Sequence, residues 1–225
     1  MAIMLFHGSP EPLEKPVFGK GNPHNDYGLA FYCTENQDLA MEWACADGRD
    51  GFTNTFMLND EGLSVCNLSS KEFNILNWLA VLLENRTFTL STPLSREARQ
   101  YLLENFLPDI SRFDIIRGWR ADDSYFSFAK GFLSGSLSLE GLSEAMKLGK
   151  LGEQVAVKSE KAFKALEFMA YEPADSWFYY PRRVRRDREA RERYLQICSS
   201  EKAKDSVYIL DIIREGWKND DKRLR

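Results

Sequence analysis

Two histidines, His7 and His24, are all that the 225-residue chain contains, and that scarcity bounds its chemistry. A histidine-rich metal centre is excluded. A Ser-His-Asp triad would have to use one of the two, and no GxSxG turn is present to pair with it. The phosphate-binding patterns GxxxxGK[ST] and GxGxxG are absent as well. The residues able to do chemistry fall instead at three stations: His7-Gly8-Ser9, Phe31-Tyr32 and Glu153-Gln154. On spacing alone, a lone histidine after an apolar run is more often a structural hydrogen-bonding group than a catalytic one. Phe31-Tyr32 is likewise ordinary strand composition.

The elements that must position these stations follow from the apolar pattern. Residues 2–6, AIMLF, read as a buried strand that delivers His7 to a Gly-Ser-Pro turn. Residues 10–28 are rich in Pro, Gly and Asn and form a long loop. Residues 29–34, LAFYCT, resume strand character, and Asn36 to Trp43 reads as a helix. TNTFMLN at 53–59 and LSVCNL at 63–68, around Asp60-Glu61-Gly62, suggest an antiparallel hairpin. Ser69 or Ser70 is placed to cap a helix over 71–86, and a second helix covers 95–106. Residues 114–116 read as a strand, and Asp122 or Asp123 caps a helix running through Phe132. Ser138 to Leu148 is helical, 154–157 is a strand, and 162–171 fits helix or strand. An amphipathic helix over about 203–218 should pack on something.

Composition fits a globular protein, with 44% hydrophobic and 28% charged residues and a formal net charge of −4. No apolar run approaches the roughly 18 residues of a membrane-spanning helix. The opening MAIMLFHGS lacks the basic start and long apolar stretch of a signal peptide. Four cysteines, Cys33, Cys45, Cys66 and Cys198, have no CxxC spacing, so neither a zinc site nor a disulfide framework is signalled. These features predict a cytoplasmic protein with no membrane partner. Composition shifts after Tyr171: SWFYYP leads into RRVRRDREARER at 182–193, seven Arg against three acids. The expected organisation is a domain over 1–172 and a basic helical extension over 173–225 packed on it.

LFHGS, NDYGLAFYCT, DIIRGWRADDSYF and GEQVAVKSEKAFKALEF occur in an order that resembles a bacterial family within the ADP-ribosyltransferase superfamily, one associated with toxin-antitoxin gene neighbourhoods. YGLAFYCTENQDLAMEWA is similar to the GxGxYFA segment and helix of the poly-ADP-ribose polymerases, and the resemblance spans roughly 3–170. It implies an α+β fold: an ADP-ribosyltransferase-like split β-sandwich of two small antiparallel sheets with surrounding helices and a helical C-terminal extension. The implied activity is NAD-dependent mono-ADP-ribosyl transfer to a protein or nucleic acid, with NAD as co-substrate and no metal, by a toxin or effector-like enzyme. A neutralising antitoxin or other inhibitor protein is an implied partner.

By that resemblance His7, Gly8 and Ser9 hold the nicotinamide half of NAD, and Tyr32 offers a flat ring for it to stack on. Gln154 orients the ribose where the polymerases carry glutamate. An amide holds a hydroxyl but cannot act as a general base, which favours transfer of a single unit over chain elongation. Glu153 lies next door and faces the opposite side of a strand, and one residue of slip exchanges the two roles. Leu29-Ala30 departs from the family's glycine-bearing segment. Asp26, ahead of Tyr27 and Gly28, is divided between a turn role and a cofactor contact. Asp123 is divided between a helix cap and a base beside the acceptor. The arginine run reads first as a solvated helix face with local pairs. Binding of nucleic acid, aided by Trp177, Phe178, Tyr179 and Tyr180, and binding of an acidic partner are the functional alternatives. An NAD glycohydrolase and a noncatalytic binding module on the same fold remain the competing functions.

Overall fold

The computed structural model describes residues 2–121, 123–148, 153–200 and 206–224. The chain forms two compact units, neither continuous in sequence. One comprises residues 1–67, 110–120 and 151–186, the other 68–109, 121–150 and 187–225.

The first unit carries a mixed seven-stranded sheet in the order β4-β5-β6-β2-β1-β3-β7. Its strands are β1 (Ala2–Ser9), β2 (Phe31–Thr34), β3 (Gly51–Asn59), β4 (Val65–Asn67), β5 (Ile115–Trp119), β6 (Glu153–Val157) and β7 (Leu166–Ala174). β1 is paired along its whole length with β3, which pairs in turn with β7. On the other side β2 pairs with β6, β6 with β5, and β5 runs parallel to β4. The two halves meet at a single register position, Phe6 opposite Thr34. The expected two antiparallel sheets are thus one sheet with a narrow seam, and the β4–β5 pair makes it mixed.

Alternation along the strands sends Leu5, Phe31, Cys33, Phe56, Leu58, Val155 and Val157 into one apolar cluster. On β1 and β3, Gly8 and Gly51 admit helix α1 (Gln37–Ala44), which Asn36 caps by accepting from the Leu39 N–H. A Cβ on Gly8 would stand 2.2 Å from the Ala40 carbonyl oxygen, and one on Gly51 2.3 Å from that of Ala44. Glycine at position 8 is therefore required by helix packing. The expected hairpin of 53–59 with 63–68 does not form, because β3 is already paired on both edges and β4 lies against β5. Residues 162–171 divide between a short helix, α2 (Glu160–Lys164), and β7.

The second unit is helical. α3 (Ile75–Asn85) is capped by Asn74, which accepts from Leu76 and Asn77 N–H groups, rather than by Ser69 or Ser70. α4 (Pro93–Phe106) starts with Thr92 as cap and proline in its first turn, the position where a missing N–H costs least. α5 (Asp123–Leu133), α6 (Leu139–Leu148) and α8 (Ile209–Arg214) follow, with a final 3-10 turn at Lys222–Leu224. α8 is shorter than the expected 203–218 helix, of which 203–205 lie outside the described residues. The long helix α7 (Ser176–Ser200) has residues in both units. Among the described residues no helix is long and apolar enough to cross a membrane.

Candidate functional site at the β1–β2 seam

Beyond the Phe6–Thr34 pair no register position joins His7–Ser9 to Phe31–Cys33, so the ladder opens there. His7 Nδ1 lies 2.7 Å from the Tyr32 carbonyl oxygen. A carbonyl only accepts, so Nδ1 carries the proton, and Nε2 is left as an acceptor. Burial pushes the His7 pKa below its ordinary value, against the opposing pull of that hydrogen bond, and keeps the ring neutral at pH 7. The Tyr32 carbonyl thus points toward β1. The two-residue period of a strand points the main-chain groups of Thr34 the same way, and the Phe6–Thr34 pair then turns those of Phe6 and Gly8 toward the opening. An opened ladder of this kind presents main-chain donors and acceptors to a ligand.

The side chains around the seam lie on two faces. His7 shares the face of Leu5 and Phe31, with its ring centroid 4.4 Å from that of Phe31. Tyr32 and Gln154 lie on the other, since Tyr32 is opposite Ala156 and Thr34 opposite Gln154. Gln154 is 3% exposed, and its Nε2 donates to Asp26 Oδ2 at 2.7 Å and to the Trp119 carbonyl at 3.4 Å. Asp26 is 4% exposed. Alternation along β6 leaves Glu153 half-buried on the face of Val155, Val157 and His7.

Several expected site residues are engaged in structure. The Tyr32 hydroxyl donates to the Gly28 carbonyl at 2.6 Å and accepts from the Tyr27 N–H at 3.0 Å. This fixes the turn whose Gly28 adopts φ 78°, a left-handed conformation that suits glycine. Tyr27, wholly buried, donates its hydroxyl to the Trp119 carbonyl at 2.6 Å, and its own carbonyl accepts from Lys158 Nζ at 3.2 Å. Burial lowers the Lys158 pKa. Ser9 Oγ donates to the Glu11 carbonyl and accepts from Asn54 Nδ2. Asp122 and the side chain of Asp123 lie outside the described residues, although Asp123 opens α5. Asn54 was not among the expected site residues; its only signal in the sequence is an amide inside the otherwise strand-like TNTFML.

Much of the basic run is paired within the chain. In the first unit Arg182 meets Asp38 at 3.4 Å, Arg183 donates to the Cys45 carbonyl, and Arg186 grips the buried Glu42 through two nitrogens at 2.8 and 3.0 Å. In the second, Arg191 pairs with Asp187, Arg193 with Glu144 and, at 3.8 Å, Arg188 with Glu192.

Fold and site together define an α+β protein with a mixed seven-stranded sheet that opens between its first two strands around a neutral histidine. Residues 3–168 match the model of the family described as "Protein of unknown function (DUF3990)", and the chain belongs to that family. No curated protein and no solved structure matches it.

Proposed function

We propose that the seam binds NAD and that the protein transfers ADP-ribose from it, as a split-sandwich ADP-ribosyltransferase whose two half-sheets are β4-β5-β6-β2 and β1-β3-β7. The observation that carries this reading is the opened ladder at His7, with a neutral imidazole whose Nε2 accepts and whose Nδ1 is held by the Tyr32 carbonyl. A ribose hydroxyl donates to Nε2, and the main chain of Gly8 takes the nicotinamide carboxamide. Tyr32 contributes its carbonyl, which orients the His7 ring; its own ring lies on the opposite face, tied to Gly28 and Tyr27, so the stacking role that the resemblance implies is not assigned to it.

The carboxylate is assigned to Glu153 and not to Gln154, because Glu153 shares the face of His7 while Gln154 is buried against Asp26. Breaking the N-glycosidic bond sends its electron pair into the pyridinium, which leaves as neutral nicotinamide and builds positive charge on the ribose. Glu153 stabilises that charge. An acceptor nucleophile then bonds C1′ and releases its proton to solvent.

The test is incubation of the protein with labelled NAD, alone and with cell lysate, beside Glu153→Gln and His7→Ala variants. Label on a protein or nucleic acid that disappears in both variants is the expected result and names the acceptor class. Steady release of free ADP-ribose by the protein alone makes it an NAD glycohydrolase. No consumption of NAD in any condition overturns the assignment.

A further inference from the structure

The interior of a β-strand is a poor place for asparagine, and a buried amide must find partners for two N–H groups and one oxygen. Asn54, in the middle of β3, is wholly buried and finds all three. Its Oδ1 accepts from the Leu13 N–H at 2.7 Å, and its Nδ2 donates to the His7 carbonyl at 3.0 Å and to Ser9 Oγ at 2.8 Å. Ser9 Oγ passes the connection on to the Glu11 carbonyl. One side chain thus ties down His7, the end of β1 and the first turns of the following loop, on the side away from β2. The register confirms its place, since His7 is directly opposite Asn54. Two and four residues further along β3, Phe56 and Leu58 fill the same face with apolar core, so the amide interrupts a run that packing alone would make hydrophobic.

We propose that Asn54 is a positioning residue that holds His7 at the open seam, with Nδ1 fixed on the Tyr32 carbonyl and Nε2 presented to a ligand. β1 shares only the Phe6–Thr34 register position with β2, so His7 reaches β2 through its ring alone and its main chain is held from the β3 side. On that edge Asn54 adds to the β1–β3 ladder one bond to the His7 carbonyl and, through Ser9 and Leu13, two that anchor the chain leaving β1. What His7 does for catalysis rests on the reading above; how Asn54 sets the His7 ring does not.

The experiment uses the scarcity of histidine. In a His24→Gln background His7 is the single imidazole, and its titration and Nδ1/Nε2 tautomer are read by nitrogen-15 NMR, with nicotinamide release measured on the same preparations. Asn54→Ala removes the donors. Asn54→Thr, a residue that strands accept readily, returns one hydroxyl and serves if the alanine variant does not fold. The expected result is that His7 titrates closer to its free value in the variant, with loss of the single Nδ1–H tautomer. Nicotinamide release falls roughly 10- to 100-fold in kcat/KM, the scale of a misplaced catalytic group. The threonine variant falls between. A folded variant whose His7 titration and tautomer match the parent overturns the inference. A changed His7 in a protein whose parent releases no nicotinamide upholds it and removes the NAD reading instead.

Discussion

Neighbouring residues on one strand meet opposite surroundings here. Gln154 is sealed against Asp26, whereas Glu153 stands on the face of His7. Gln154→Ala leaves a buried carboxylate short of a donor and is expected to cost about 1–3 kcal/mol in urea unfolding. Glu153→Gln is expected to change stability by no more than about 0.5 kcal/mol while abolishing nicotinamide release. The reverse pattern would favour Gln154 over Glu153 in the proposed reaction. His7 yields a second prediction. Its folded pKa lies below the unfolded value of about 6.5, so the neutral ring belongs to the folded state. Its contribution is complete above pH 6.5 or so and is lost as pH falls from there through the folded pKa. A His7→Gln variant should show a flatter loss of urea midpoint across that window than the parent; parallel curves would mean that the ring does not titrate on unfolding. His7 and Tyr32 drew attention through the order of the motifs around them, since on spacing alone each reads as structural. The sequence did not bring out Asn54, Lys158 or the Gln154–Asp26 bond, because each depends on partners 41 to 131 residues away.

At the scale of elements, α1 is held from two sides. Gly8 and Gly51 let its backbone approach the sheet, and Asp38 and Glu42, one turn apart, meet Arg182 and Arg186 of α7. Glu42 is buried, and Arg186 supplies two hydrogen bonds to it. Removing one partner of a buried pair strands the other, so Arg186→Ala should lower stability by about 3–5 kcal/mol. Arg188→Ala, at an exposed pair, should stay within about 0.5 kcal/mol. Equal effects in thermal melts would show that the Glu42 pair is no stronger than a surface one. Strands β1, β2, β5 and β6 were legible because each is a short apolar run beside a turn signal. β7 was not: much of it is exposed on both faces, so neither strand nor helix periodicity is written in it. The β3–β4 hairpin was misjudged for a different reason. A short turn favours local pairing, but β1 and β7 occupy both edges of β3.

For the whole molecule, the net charge of −4 and the pairing of the arginine run bear on what the protein binds. Guanidinium groups already engaged by carboxylates release few counterions when a nucleic acid approaches. Micromolar protein at about 150 mM salt should therefore leave a labelled single strand unshifted in a gel assay. A retained complex that weakens steeply with salt would restore α7 as a nucleic-acid surface. The exposed Trp177, at 87% exposure, and Phe178 would then be the stacking groups to vary.

The unit that holds the seam is stitched from three stretches of chain, and β6, encoded more than a hundred residues after β2, inserts between β2 and β5. On a ribosome adding about 5–20 residues per second, His7 and Tyr32 emerge many seconds before the strand that completes their sheet. Closure of so distant a pairing is slow in itself. The sheet around the seam thus stays incomplete until β6 has been made. The interval gives any binding partner made alongside it time to meet the nascent chain before the seam exists.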